Sequence, residues 1–175
     1  TLAPNFRLRD VVMRARGQRW YVVWVFVGAM IFAPRVRAQQ GEANKSSDAA
    51  TRQYAVAVGF QNQKLYDSAI DEWKTFLRKH SGDERANKAT HYLGICQLQA
   101  RQFDAAATTF ESVESKYPKF ELLDQTLLNH GSALYSIALK SNKPADFAKA
   151  ESPFAKLVEQ FPNSEFLGRA LYYRG

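Results

Sequence analysis

Residues 103–110 read FDAAATTF, and the pattern of this stretch occurs twice more in the chain. Residues 66–73 read YDSAIDEW and residues 147–154 read FAKAESPF, so each copy has an aromatic residue, an alanine three residues later and another aromatic four residues after that. Steps of three and four residues place side chains on one face of an α-helix. The copies begin 37 and 44 residues apart, a period typical of stacked helical repeats. The sequence therefore predicts an α-helical repeat protein.

Apolar residues recur at helical spacing from Arg52 to the end of the chain, and no stretch alternates as a β-strand does. The spacing predicts helices over residues 50–63, 66–80, 84–101, 103–117, 121–141, 145–161 and from 164 onward. Pro118, Pro144 and Pro162 stand at the breaks, where a helix ends or begins. Because the connections are short, neighbouring helices must run antiparallel. We therefore expect an all-α fold built from helix hairpins.

The repeats resemble tetratricopeptide (TPR) repeats, which have Leu-Gly in a first helix and then alanine, an aromatic residue and proline in and after a second. The second copy carries this pattern at Leu93, Gly94, Phe103, Ala106, Phe110, Val113 and Pro118. The first copy has Ala57 in place of the glycine, and the third has Gly131 followed by a seven-residue expansion around 140–146. A partial fourth copy contains Ala170 and Tyr173. The resemblance implies a right-handed α-solenoid of about three and a half repeats, truncated in the fourth.

The residues within the repeats are similar to those of bacterial cell-envelope members of the TPR family. Residues 69–77 (AIDEWKTFL), 89–94 (ATHYLG) and 161–164 (FPNS) carry this likeness. The group includes the periplasmic repeat protein associated with the Tol-Pal system and the lipoprotein of the outer-membrane β-barrel assembly machinery. The likeness implies a protein of the periplasm or cell envelope of a Gram-negative-type bacterium.

Residues 1–38 have the order of a secretory signal peptide. An arginine-rich head is followed by the apolar run 20–33 (WYVVWVFVGAMIFA) and by a short tail whose end predicts cleavage between Ala38 and Gln39. The run is shorter than the roughly 20 residues of a membrane-spanning helix. Positive charge after the run, at Arg35 and Arg37, leaves an uncleaved membrane anchor open as an alternative.

The rest of the chain divides into a linker and a repeat domain. Residues 39–51 (QQGEANKSSDAAT) are small and polar, which predicts a flexible linker. The repeat domain is expected over residues 52–175.

The net charge of +7 does not indicate nucleic-acid binding, because of where it lies. Residues 1–38 hold seven arginines and one acidic residue, Asp10, whereas the remaining residues balance to within one charge. A nucleic-acid interface needs basic residues clustered on the folded part. No nucleic-acid partner is therefore expected.

The sequence shows no pattern typical of a catalytic or metal site. Cys96 is the only cysteine and stands in an apolar run, so we expect it to be buried. His80, His91 and His130 have no histidine partner three or four residues away, so we expect surface or groove histidines rather than a metal site. Carboxylates such as Glu114 stand near basic residues, as on solvated helix faces. We expect no enzyme activity, no cofactor and no metal.

The TPR resemblance places a partner-binding groove on the first helix of each hairpin, where a peptide or a partner helix would bind. Carried over by register, the groove residues are Tyr54, Val58, Gln61, Asn62, Lys88, His91, Ile95, Leu98, Gln125, Leu128, Ser132, Tyr135, Arg169 and Tyr172. The expected function is that of an exported protein–protein interaction scaffold. Two alternatives stay open: a membrane-anchored or self-associating spacer, and the N-terminal repeat module of a larger protein with an enzyme domain beyond residue 175.

Overall fold

The computed structural model of the protein describes residues 47–174, and all regular secondary structure within this range is helical. The helices are α1 (47–62), α2 (Tyr66–Lys79), α3 (Ala86–Gln99), α4 (Phe103–Lys116), α5 (Leu123–Ser141), α6 (Pro144–Gln160) and α7 (Leu167–Arg174). Their ends lie within one helical turn of those predicted from the apolar spacing. The prediction of an all-α fold is therefore confirmed.

The first helix begins earlier than the sequence predicted. Residues 47–51 belong to α1, although they were assigned to the flexible linker. The reason is that Ala50 is buried in the first core cluster with Ala57 and Trp73. Its apolar contacts stabilise this additional turn of helix. The predicted signal peptide, its cleavage site at Ala38 and Gln39, and the rest of the linker lie outside the described residues.

The helices form a stack in which each packs against its neighbours in the chain. Contacts join α2 to α3, α3 to α4, α4 to α5, α5 to α6 and α6 to α7, and α3 also contacts α5 across two hairpins. Helices α1 and α2 meet through Tyr54, whose ring lies edge-on to Trp73 at 4.9 Å. This order of contacts is that of a helical solenoid of repeats. No helix among the described residues is long and apolar enough to cross a membrane.

Each hairpin turns through one left-handed residue that is not glycine. Lys64 and Arg101 have φ angles of 60°, and Asn142 has a φ angle of 53°. The turns are closed by backbone hydrogen bonds, such as the one from the N–H of Gln102 to the carbonyl of Gln97 at 2.9 Å. Left-handed residues commonly end helices in this way because they free the backbone to reverse direction.

Two glycines allow the helices of a hairpin to approach closely. A Cβ atom added to Gly94 would lie 2.6 Å from the ring of Phe110, and one added to Gly131 would lie 2.5 Å from the ring of Phe154. Both rings are fully buried. The small residue of each first helix therefore makes room for the second aromatic residue of the repeated frame.

The third hairpin is longer than the second. Helices α5 and α6 have 19 and 17 residues, whereas α3 and α4 have 14 each. Gly131 and Gly94 hold the same register against the second helix, so the added residues lie at the tip of the hairpin, beside Asn142. At about 1.5 Å per residue the tip extends by roughly one helical turn. The seven-residue expansion seen in the sequence is thus added helix.

Candidate functional site

Two residues predicted to line the groove are buried in the core instead. His91 is 0% exposed and Leu128 is 1% exposed. Both occupy the same register on their first helices, three residues before Gly94 and Gly131. His91 faces the first turn of α5, the first helix of the next hairpin. The groove prediction is therefore wrong for His91 and Leu128, because this register packs inside the stack.

His91 joins the second hairpin to the third through both ring nitrogens. Its Nδ1 lies 2.8 Å from the hydroxyl of Thr126, and its Nε2 lies 3.1 Å from the side-chain amide of Gln125. The Thr126 hydroxyl also donates to the carbonyl of Leu122 at 2.8 Å, so the His91 ring is tied to the first turn of α5. Burial disfavours the charged ring and lowers the pKa of His91 from 6.5 to about 4. His91 is therefore neutral in the folded protein at pH 7.

We expect the folded protein to lose stability in mild acid because of His91. Its ordinary pKa is 6.5 in the unfolded chain and about 4 in the folded protein. The unfolded state therefore binds the proton first, and the stabilisation present above pH 6.5 is lost as the pH falls toward 4. By pH 5 the loss is about 2 kcal/mol. Urea unfolding followed by circular dichroism at pH 7.5 and pH 5 measures it.

The control for this effect is His91→Leu, since the third hairpin already carries leucine in that register at Leu128. This variant keeps His80 and His130, so its remaining pH dependence comes from groups that both proteins share. The pH-dependent difference between the two proteins isolates His91. Equal loss of stability in both proteins between pH 7.5 and pH 5 would contradict the assignment.

The predicted groove tyrosines differ in how they are placed. The ring of Tyr54 packs on Trp73 and Phe76, and the Arg85 guanidinium carbon lies 5.1 Å from its centroid. Tyr135 lies edge-on to Phe147 at a centroid distance of 5.7 Å. Tyr54 and Tyr135 thus support the fold as well as presenting an edge to solvent.

The remaining predicted groove residues form a partly accessible surface. Asn62, Arg169 and Tyr172 are exposed, with Tyr172 at 80%. Half-buried positions are Val58, Gln61, Lys88, Ile95, Leu98, Gln125 and Ser132. Gln61 is held in place, because its Oε1 accepts a hydrogen bond from the indole N–H of Trp73 at 3.1 Å. The accessible part combines amide, aliphatic and cationic side chains.

Two ion pairs fix charged groups beside the start of α3. Lys88 Nζ lies 2.7 Å from Glu121, and this contact raises the pKa of Lys88. Arg85 makes a two-pronged contact with Asp83, at 2.8 Å for each oxygen. That guanidinium lowers the pKa of Asp83 to about 2. Asp83 is only 13% exposed in its side chain, so this carboxylate is held by Arg85 and does not lie on a solvated helix face.

Glu114 and His130 are also less exposed than the sequence suggested. His130 Nδ1 lies 2.5 Å from Glu114 Oε1, and Lys156 Nζ lies 2.9 Å from Glu114 Oε2. Burial alone would raise the pKa of Glu114, yet the hydrogen bonds from His130 and Lys156 lower it. Glu114 is therefore a paired structural carboxylate and not part of a solvated helix face. His91 is fully buried, and His130 is only 9% exposed, so neither lies on an open helix face.

Metal ligands do not cluster within residues 47–174, where no group of three or more His, Cys, Asp or Glu side chains could hold a metal ion. Cys96 is buried and free, as expected from its apolar surroundings. Burial raises the pKa of its thiol to about 11, which disfavours the reactive thiolate.

Comparison with protein families identifies the family to which the chain belongs. The family described as 26S proteasome subunit RPN7 matches residues 10–142, more than half of the sequence. The chain belongs to the RPN7 family. Within the described residues, the RPN7 match runs from α1 to Asn142, the residue that ends α5. Helices α6 and α7, with the predicted groove residues Arg169 and Tyr172, lie beyond it.

The family that matches is RPN7, and not the bacterial cell-envelope group that the residues of the repeats resembled. No curated protein sequence matches the chain. Among solved structures, the chain is similar to the second TPR domain of human RPAP3, determined by NMR in complex with the HSP70 peptide SGPTIEEVD. The TM-score is 0.58, the identity is 11%, and the alignment covers 74% of this chain and 94% of the RPAP3 chain. This likeness confirms the TPR-like helical repeat fold.

Proposed function

We propose that the protein is a non-catalytic scaffold that binds a peptide or helix of another protein along the first helices of its hairpins. The observation that carries the proposal is the accessibility of the first helices, where Asn62 on α1 is exposed and Lys88, Ile95 and Leu98 on α3 are only half-buried. Amide and lysine side chains can hydrogen-bond a peptide backbone, while the aliphatic pair contacts apolar side chains. The similar domain of RPAP3 binds an HSP70 peptide, which supports a protein partner for this fold.

The structure changes which residues should be tested. Alanine at Tyr54 or Tyr135 would disturb the fold, because Tyr54 packs on the buried Trp73 and Tyr135 packs on the half-buried Phe147. Asn62 and Lys88 are better choices, since Asn62 is exposed and the only ion pair of Lys88 within the described part of the chain is with the exposed Glu121. Loss of such a surface ion pair changes stability by less than about 1 kcal/mol.

The test selects peptides from a displayed random library on the full chain and then compares variants. We expect Asn62→Ala/Lys88→Ala to weaken the selected peptides about tenfold, the equivalent of about 1.4 kcal/mol. Affinity is measured by isothermal titration calorimetry. The matched control is Lys74→Ala/Asn163→Ala, which removes the same two side-chain types at exposed positions away from the groove.

If the selected peptides bind both double variants as tightly as the unaltered chain, the assignment of the binding site to the groove is wrong. If no peptide can be selected, the protein does not bind peptides. Circular dichroism of both variants checks that the helices are intact.

The proposal includes export to the cell envelope. It is supported by the signal-like order of residues 1–38, with the apolar run 20–33 and the small residue Ala38. Intact-mass measurement after expression in a Gram-negative host decides between the possibilities. A product that begins at Gln39 in the periplasmic fraction supports export with cleavage, and an uncleaved product in the membrane fraction supports the anchored spacer. An uncleaved product in the cytosol excludes both.

The RPN7 match favours a second candidate, a subunit of a large multi-protein assembly. The family name refers to a subunit of the 26S proteasome, and a helical stack offers an extended surface for neighbouring subunits. Sedimentation of the native protein from its own cells distinguishes the candidates. A subunit migrates with an assembly far larger than 19.9 kDa, whereas a peptide-binding scaffold migrates near its own mass.

A further inference from the structure

A cleft lies on the side of the stack formed by the second helices. It is bounded by α4 on one side and by the start of α6 on the other, with α5 as its floor, and its volume is about 450 Å³. The lengthened tip of the α5–α6 hairpin supplies one wall, through Asp146 and Lys149. The cleft is separate from the first-helix groove.

The floor of the cleft is apolar. Ala107, Leu134 and Ile137 line it, and all three belong to the core cluster that surrounds Phe110. Leu134 and Ile137 are only half-buried, so the core is open to solvent at this point. An aliphatic side chain of a partner could cover this surface.

The rim of the cleft carries excess negative charge. Asp104 and Glu111 on α4 are exposed and have no ion pair among residues 47–174. Asp146 on α6 accepts hydrogen bonds from the hydroxyl of Ser141 at 2.7 Å and from Lys149 at 3.1 Å. Lys149 thus neutralises Asp146, which leaves the two carboxylates of α4 available to a cation.

A buried histidine adds a hydrogen-bonding atom to the floor. His130 lines the cleft although it is only 9% exposed. Its Nδ1 is held by Glu114, which does not line the cleft. Within the described part of the chain, no group hydrogen-bonds to its Nε2, so this nitrogen is left to the cleft. When the ring is neutral and Nδ1–H donates to Glu114, Nε2 accepts a hydrogen bond from a donor such as an N–H group.

The spacing of the α4 residues indicates the shape of the ligand. Asp104, Ala107, Thr108 and Glu111 follow one another at intervals of three, one and three residues and therefore share one helix face. The two carboxylates stand about 10.5 Å apart along the helix axis. The same distance separates two side chains seven residues apart on a partner helix.

We infer that this cleft is a second protein-binding site, which takes a basic amphipathic helix with two arginines seven residues apart and an aliphatic residue between them. The arginines pair with Asp104 and Glu111, because a guanidinium matches the two oxygens of a carboxylate. The aliphatic side chain lies on Leu134 and Ile137. Charge complementarity and the apolar floor together select this ligand over an acidic or purely polar one.

The probe is a fluorescein-labelled alanine-based peptide with two arginines seven residues apart and a leucine three residues after the first. Its isomer has the arginines five residues apart, so that they fall on different faces of the helix. Fluorescence anisotropy with the full chain at low salt, where surface charges are least screened, gives the affinities. We expect the first peptide to bind about tenfold more tightly than the isomer.

Matched variants assign the binding to the cleft. Asp104→Asn/Glu111→Gln should weaken the first peptide about tenfold, because it removes both rim charges. The control Asp71→Asn/Glu159→Gln makes the same charge change at exposed positions outside the cleft and should leave binding unchanged. Asn62→Ala/Lys88→Ala should also leave it unchanged, which separates this site from the groove.

The inference is overturned by any of three results. These are equal binding of the two peptide isomers, equal weakening by the cleft variant and its control, and no measurable binding to the unaltered chain. Thermal unfolding of each variant checks that the exposed substitutions leave the fold intact.

Discussion

Replacing Trp73 with alanine is expected to lower the free energy of unfolding by about 3–5 kcal/mol. The indole is 0% exposed, stacks on Tyr92 at a centroid distance of 5.8 Å and lies edge-on to Tyr54 and Phe76. Its N–H also donates to Gln61 at 3.1 Å. Alanine removes contacts between α1, α2 and α3 together and leaves a cavity where they meet. Urea unfolding at neutral pH measures the loss.

Tyr172→Ala is the control for this prediction, since it also removes a large aromatic ring. Tyr172 is 80% exposed, so the variant should change stability by less than about 0.5 kcal/mol. Similar losses from both substitutions would mean that the burial of Trp73 does not determine the stability of the first hairpin.

The second large effect is expected from Gly131→Val, which should destabilise the protein by about 3 kcal/mol. Even a Cβ atom at this position would lie 2.5 Å from the ring of Phe154, and valine adds two methyl groups. Phe154 is fully buried and stacks on Tyr173 at 4.9 Å, so its ring has little room to move. Thermal and urea unfolding of the variant measure the effect.

Gly59→Val provides the matched control on α1. A Cβ atom there has no neighbour within 4 Å, and valine is slightly better than glycine inside a helix. We therefore expect a change of less than about 0.5 kcal/mol, in the stabilising direction. Strong destabilisation by Gly59→Val would show that the close approach at Gly131 is not the cause.

The fold could be predicted from the sequence because its signals are local. The apolar spacing set the helices, and the prolines at 118, 144 and 162 marked where they end or begin. The glycines at the helix contacts were also predictable, since Gly94 and Gly131 hold the same place in their repeats. These features depend on residues close together in the chain, and the structure keeps them almost unchanged.

The site was less predictable because it depends on contacts between distant residues. The register of His91 and Leu128 identified their helix but not whether the next hairpin covers them. Glu114 stands in a polar stretch, and its partners His130 and Lys156 are 16 and 42 residues away. The burial of Glu114 follows from the packing of three helices. No local sequence pattern predicts that packing.

The cleft on the second-helix side had one signal in the sequence, the expansion around residues 140–146. The expansion showed that the third repeat is longer but not that the extra residues form helix. Only the packed structure places Ile137 and Asp146 opposite Asp104. A longer hairpin beside a shorter one leaves part of its apolar surface uncovered.

The interface between the second and third hairpins decides whether the stack unfolds as one cooperative unit. Both His91 and His130 cross it, bonded to Thr126 and Glu114, whereas Trp73 and Tyr92 join the first hairpin to the second through aromatic contact. In a linear array, stability is a sum over hairpins and the interfaces between them. Acid that protonates His91 weakens one interface and spares the other. We therefore expect the stack to melt in a single step at neutral pH and as two halves in acid.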